Sequence, residues 1–358
     1  MKKRLSILLT VLMITLLAAS CAAPSQPATQ TAVAATAAPA PAATQEPASG
    51  STSAQNAKQL VFGLSSPQLD ATGFKVNADA VQKYCDDNGI KLITLDASND
   101  VDKQLKQIED FITQGVNAII FTPVDSAALA KGVEKANAAN IPIVAMDRSV
   151  EGGKLTGMVE SDNTAHGAEA AVLMAQAAKD AGIDVKDLKV LELLGAQATS
   201  AGLERHDGFS KKAAELGINI VSSLPTEWQS DKAYNAVLDA FQAHPDINAI
   251  FEASDIAMHG GVEPALKQLG KLVAAGTQGH IMITSVDGGP QGLDAIRNGY
   301  IDGIASQSLI EMGSKAAEIA MQAANGGMNG KDTVTVKLNP VAAQKSNVDS
   351  AELWANQK

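Results

Sequence analysis

Aromatic residues make up only 3% of the 358 residues: two tryptophans, three tyrosines and seven phenylalanines. A chain so poor in rings must build its cores from Ala, Val, Ile and Leu, a composition that suits parallel strands buried on both faces. Any ring on a loop then gains weight as a binding group. Cysteine is scarcer still, with only Cys21 and Cys85. One of the two stands near the N-terminus, so no disulfide framework is built into the body of the chain. Basic charge is also short: 28 Lys and Arg face 39 Asp and Glu, for a formal net charge of −11. Nucleic-acid binding needs cationic stripes that such a composition does not supply. The signatures of enzymes are missing as well. His166, His206, His244, His259 and His280 are scattered, with no H-E-x-x-H, no G-x-S-x-G elbow, no G-x-G-x-x-G fingerprint and no Walker A loop. Neither a cysteine pair nor a carboxylate cluster at metal spacing is found. The expectation is therefore no catalytic residue, no cofactor and no metal.

What is present begins with "MKKRLSILLTVLMITLLAASC": a basic start, an apolar run from Leu5 to Leu17, small residues and Cys21. The pattern is that of a secretory signal over residues 1–20, too short for a comfortable membrane span. It resembles the lipobox of bacterial lipoproteins, which implies lipidation at Cys21, although Ala18 stands where that motif prefers Leu and Leu17 comes one step early. Residues 21–57 are mostly Ala, Pro, Thr, Ser and Gln, with Glu46 as the single charge. Such a segment cannot bury enough apolar area to repay its ordering entropy and reads as an extended tether.

After Lys58, short apolar runs alternate with amphipathic stretches. The runs are "LVFGLS", "IKLITLD", "NAIIFTP", "IPIVAMD", "LTGMV", "LKVLELLG", "INIVSSLP", "NAIFEAS", "IMITSVD" and "DGIASQ". Between them lie helical segments such as "DKQLKQIEDFITQG", in which Leu105, Ile108, Phe111 and Ile112 share a face and Gly115 closes the end. Cys85 falls in another, "VQKYCDDNG", and reads as a small residue at the core. Strand, helix, strand implies parallel sheets with right-handed crossovers. The two halves echo each other: "GVNAIIFTPVDS" then "IPIVAMDRS" resembles "DINAIFEASDIA" then "IMITSVDGG". The fold class expected is α/β, two similar doubly wound lobes. In such sheets ligands bind beyond the carboxyl ends of the strands, which is where Asp147 and Arg148 follow "IPIVAM" and Asp287 ends "IMITSVD".

The candidate residues share one chemistry. A sugar offers vicinal hydroxyls over an apolar C–H face. Carboxylates, guanidinium groups and amides match the hydroxyls, and a ring matches the face. Asp147, Arg148, Arg205, Asp287 and Gln307 supply the first kind of group, Trp228 and Phe74 the second. Two acids and two arginines leave a cleft near neutral, suited to an uncharged ligand. Taken singly, Asp147 equally fits a helix cap or a partner for Arg148, and Arg205 a solvated helix residue. The coincidence of five such positions argues for a shared cleft. His206, beside Arg205, reads as a surface helix position, and Pro264 inside "GGVEPALKQLG" implies a kink or a late helix start.

The stretches "AMDRS", "SDNTAHGAEAA", "TSAGLERHDGF", "PTEW", "SVDGG" and "GIASQS", in this order, resemble the ribose type of type I periplasmic binding proteins, the sugar-binding proteins of bacterial ABC transporters. The resemblance runs from about Lys58 to the C-terminus. It implies one lobe from 58–161 plus 308–336 and another from 162–307 plus 337–358, hinged on three crossover strands near 158–163, 304–309 and 335–341. It adds Thr122 and Ser254, which stand where ribose binders carry Asn, and it places Gln307 at the second crossover. It also implies a monomer that takes a small neutral sugar or polyol and serves an ABC permease and its ATPase, with the lipid anchor as its sole tie to the membrane and a location outside the cytoplasm. Near the first strand, "SSPQLDATGFKVN" keeps one aromatic position as Phe74 and has Gly73 at the other. Two further uses of the same lobes are a sensor presenting a sugar to a membrane receptor and a sugar-responsive repressor. The repressor would open with a basic helix-turn-helix instead of a signal and tether. A sugar hydrolase using Asp147 and Asp287 as its acid pair is the enzyme alternative.

Overall fold

The computed structural model describes residues 59–327 and 333–357. The expected signal peptide, Cys21 and the tether of residues 21–57 lie outside the described residues. From Val61 the chain alternates strand and helix: β1 (Val61–Ser66), α1 (Thr72–Asp87), β2 (Lys91–Asp96), α2 (Val101–Gln114), β3 (Ala118–Phe121), α3 (Ala130–Ala138), β4 (Ile143–Met146) and β5 (Gly157–Ser161). It continues through α4 (Asn163–Asp180), β6 (Lys189–Leu194), α5 (Ser200–Leu216), β7 (Asn219–Pro225), α6 (Ser230–Ala243), β8 (Ala249–Glu252), α7 (Asp255–Gln268), β9 (Met282–Asp287), α8 (Pro290–Asn298) and β10 (Gly303–Ser306). It closes with α9 (Leu309–Ala324), β11 (Val334–Leu338) and β12 (Val341–Ala343).

The strands form two six-stranded sheets with the same order, β11-β5-β4-β3-β1-β2 and β12-β10-β9-β8-β6-β7. All neighbours are parallel except β10 and β12, which run antiparallel. Each of the ten apolar runs contributes a strand, and the echoed segments fall at matching places, β3 with β8 and β4 with β9. The central strands β3, β4, β8, β9 and β10 are buried at every residue, as strands covered on both faces must be.

The chain passes between the sheets three times. From β5 it enters α4, which packs on β9 and β10; from β10 it returns as α9, which packs on α1, β3, β4 and β5; from β11 it crosses to β12. One expected boundary is displaced. The position after 336 cuts through β11, because Val334 to Leu338 pair with Gly157 to Ser161 in the first sheet. Pro264 neither delays nor ends α7, which runs through it; Gly260 and Gly261 stand four and three residues before the ring.

Local signals set the helix ends. Asp100, Asp162, Thr199 and Ser254 accept a backbone N–H in the first turns of α2, α4, α5 and α7. Pro290 opens α8, and left-handed glycines close α2, α5 and α8. The first sheet is sandwiched between two apolar clusters, one around Phe62, Leu64 and Met312 and one around Ile108, Phe111 and Phe121. The second sheet carries a larger cluster that includes the stacked rings of Phe209 and Phe251, 3.9 Å between centroids. Cys85 is fully buried, and burial, with Asp86 adding, pushes its thiol up to about 11. A thiol held so far into its protonated form is a packing group.

Candidate functional site

A cavity of about 570 Å³ lies between the two sheets. Its walls come from the segments after β1, β2 and β4 on one side and after β6, β7, β8, β9 and β10 on the other, so every wall follows the carboxyl end of a strand. Phe74, Asp147, Arg148, Arg205, Trp228, Ser254, Asp287 and Gln307 all line it. Thr122 does not. It is buried beneath the site, where its carbonyl accepts from Gln104 Nε2 at 2.8 Å and its N–H donates to Ser65.

The two strand-end acids share an unusual backbone. Asp147 has φ 69° and Asp287 φ 100°, and at the rim Glu227 and Trp228 have φ 53° and 58°. Non-glycine residues rarely occupy this left-handed region, and such strain tends to gather where a site requires it.

Asp287 is held from several sides. Its carboxylate accepts from Arg205 Nη1 at 2.8 Å, from the Ser254 hydroxyl and from the Gln307 amide. Its carbonyl accepts from Trp354 Nε1 at 2.8 Å. Asp255 fixes the next turn by accepting from the N–H groups of Gly288 and Gly289 at 2.7 and 2.8 Å; burial and the neighbouring Asp287 charge push its carboxyl upward. Arg205 is pinned as firmly, donating through Nε to Asn163 at 2.9 Å and through Nη1 to the Ala253 carbonyl at 2.7 Å. This geometry depends on how closely α4 and α5 approach. A Cβ on Gly167 would stand 2.1 Å from the Arg205 carbonyl, and one on Gly208 2.0 Å from that of Thr164. The Arg205 guanidinium lies 5.6 Å from the centre of the Trp228 ring.

Across the cavity the fastening is lighter. The Arg148 guanidinium stands 5.2 Å from the Phe74 ring, and Nη1 donates to the Pro123 carbonyl at a long 3.3 Å. Its Nε is buried without a partner. Burial lowers the Arg148 guanidinium and raises the Asp147 carboxyl, while each opposes the other's shift. The four deep charges cancel. Asp70 and Glu227, both exposed, add negative charge among the lining residues, which disfavours an anion.

Gln307 joins the lobes, accepting from the Ser161 hydroxyl at 2.6 Å while donating to Asp287. A second seam lies at the lip: the Ser149 N–H donates to Ser200 Oγ at 3.1 Å, and the Ser200 N–H donates to Ser126 Oγ at 3.3 Å. His206, read as a surface position, is half-buried and bonds Glu192 at 2.8 Å, away from the cavity lining.

Sequence reasoning missed Asn77, Asn99, Gln68 and Ser230 on the walls, and Asn163, Asp255 and Trp354 behind them. Asn77 carried a signal, since it sits four residues before Val81 and eight before Cys85 on the buried stripe of α1, where a polar residue is out of place.

The family model described as "Periplasmic binding protein domain" matches residues 62–328. The chain is 33% identical over 265 residues to the ribose import binding protein of Bacillus subtilis, covering 74% of this chain and 82% of that one. It is 28% identical over 279 residues to the xylitol-binding protein of Mycolicibacterium smegmatis, covering 76% and 74% respectively. Among solved structures, an ABC transporter solute binding protein from Bacillus halodurans with bound myo-inositol superposes with a TM-score of 0.71 at 25% identity, covering 82% of this chain and 97% of that one. A periplasmic solute binding protein from Actinobacillus succinogenes with bound D-allose gives 0.72 at 26% identity, covering 81% and 99%.

Proposed function

The chain belongs to the periplasmic binding protein domain family, and on that premise we propose that its cavity captures one neutral, monosaccharide-sized ligand by closure of the two lobes. The protein is a solute-binding component of a sugar ABC importer, works outside the cytoplasm and is not an enzyme. Its partners are accordingly a permease and the ATPase that drives it. Among the described residues no helix is long and apolar enough to cross a membrane. A lipid on Cys21, followed by the tether, is the proposed attachment, and a monomer the proposed working form.

The observation that carries the reading is the pairing of one aspartate and one arginine from each lobe around a single cavity. Asp147 and Arg148 offer acceptors and donors from one side, Asp287, Arg205 and Gln307 from the other, and Phe74 and Trp228 flank them. A ligand bonded to one side alone leaves the other set unmade, so full binding energy is available only when the lobes meet. Moving a two-state population from about 1:99 to 99:1 requires about 5.5 kcal/mol of differential binding. Charge-assisted hydrogen bonds at roughly 1.5–3 kcal/mol each reach that with a few contacts. The closed form presents both lobes together, which is a shape a permease can recognise.

The test is thermal unfolding of the protein against a set of monosaccharides, polyols and nucleosides. A ligand at 100 times its Kd stabilises by about 2.7 kcal/mol. The reading expects that gain from a neutral sugar or polyol and its loss in Arg148→Ala; retention of the full gain in that variant contradicts the assignment.

A further inference from the structure

Asn77 is 1% exposed, and neither its Oδ1 nor its Nδ2 has a hydrogen-bond partner. A buried amide with both ends unmatched is costly, and native structures retain few of them without a reason. The side chain lines the cavity, one helical turn beyond Gly73, which lines it too. Nothing in the backbone requires glycine at 73, where φ is not left-handed. A Cβ there would meet only Leu309 and Ile256 side chains, at ordinary distances of 3.7 and 3.8 Å. Glycine within the first turns of a helix lowers its stability relative to alanine. Its presence keeps the wall in front of Asn77 open.

The recess thus formed has apolar sides, Ile256 and Leu309, and an amide that can accept through Oδ1 and donate through Nδ2. We propose that this recess receives the hydroxymethyl arm of a hexose, with the methylene against Leu309 and Ile256 and the hydroxyl bonded to both ends of the Asn77 amide. Asn77 is then the residue that selects a hexose over the pentose of the same ring configuration. The inference rests on the proposed capture of a neutral sugar and narrows its class. A ring hydroxyl fits the recess less well, because it brings no methylene to meet the apolar sides. A carboxylate in place of the hydroxymethyl group fits worse still, since it could not donate to Oδ1.

The experiment compares homologous pairs that differ only in that arm: D-ribose with D-allose, D-xylose with D-glucose, and L-arabinose with D-galactose, each hexose accompanied by its 6-deoxy form. Titration calorimetry gives the affinity ratio within each pair. For the pair that binds, the hexose exceeds both the pentose and the 6-deoxy sugar by about tenfold or more, the scale of one hydrogen-bonded hydroxyl. In Asn77→Ala the ratio collapses toward one. Because that substitution removes two unmatched polar atoms and places a good helix former in α1, the ligand-free variant melts no lower than the parent. Equal affinities within the binding pair, or an unchanged ratio in the variant, overturn the inference while leaving sugar capture intact. A clear drop in the ligand-free melting temperature also overturns it, since the amide would then be a structural contact. Binding of none of these sugars overturns this inference, whereas sugar capture falls only if the wider set of monosaccharides, polyols and nucleosides also fails to bind.

Discussion

The two lobes share a sheet order and a strand-end aspartate with positive φ, yet they hold their functional groups differently. In the second lobe Asp287 and Arg205 are bound to each other and to Ser254, Gln307, Asn163 and the Ala253 carbonyl. In the first, Asp147 follows β4 on its turn, and Arg148 has one long bond and an unmatched Nε. The same topology therefore presents a preassembled platform on one side and a set of groups with unused bonding capacity on the other. Under the proposed capture by closure, a ligand would meet the fixed half at little entropic cost and complete the loose half as the lobes meet. All five histidines also fall in the second lobe, between positions 166 and 280. Sensitivity to pH near neutrality should be concentrated there.

The largest expected effect separates the arginines. Arg205→Ala leaves Asp287 as an uncompensated buried charge and should lower stability by about 3–5 kcal/mol. Arg148→Ala should cost at most about 1 kcal/mol, because its guanidinium makes one long bond and leaves a buried Nε without a partner. Urea unfolding of the two ligand-free variants measures both; equal losses would erase the distinction between fixed and loose halves.

The pH comparison comes next. Burial opposes charge on His259, but Glu252, Asp255 and Glu263 outweigh it and raise the imidazole from 6.5 to about 8. Its contribution is complete below pH 6.5 and is lost as pH rises through 8. His166 is the reverse. Burial depresses it from 6.5 to about 4, so its contribution is complete above pH 6.5 and disappears as pH falls through 4. Stability should therefore decline on both sides of pH 6.5, and His259→Asn should flatten the alkaline limb. An alkaline limb unaltered by that substitution would contradict the pairing with Glu252.

Smaller effects sharpen the picture of support. Trp354→Phe keeps the apolar bulk but removes the N–H that holds the Asp287 carbonyl, at a cost of about 1 kcal/mol in binding. Calorimetry with any bound sugar checks it, and unchanged affinity would show that the other partners suffice. Ser200→Ala removes the acceptor for Ser149 at the lip. It should weaken binding by about 0.5 kcal/mol through the closed state, without altering ligand-free unfolding.

Much of this arrangement is legible in the chain itself. Apolar runs that stop abruptly at Asp147 and Asp287 mark strands emerging at a binding edge, and the echo of one half in the other points to paired lobes. Backbone handedness leaves no such trace, because Asp is common after strands in any conformation. The buried placement of Thr122 depends on Gln104 of α2 reaching its carbonyl, a contact between segments with no shared pattern. Trp354 supports Asp287 from 67 positions further along the chain, so only the folded chain shows it. Asn77 lay between these extremes: its place on an apolar stripe was visible, but its unmatched amide was not.

The most direct test of two-sided capture is calorimetric titration of the tightest-binding monosaccharide into Asp147→Ala and, separately, Asp287→Ala. The account predicts a loss of about 100-fold or more in affinity in each, because each acid belongs to a different lobe and bonds the same ligand. Affinity within a few-fold of the parent in either variant would mean that one lobe binds alone, contradicting capture by closure.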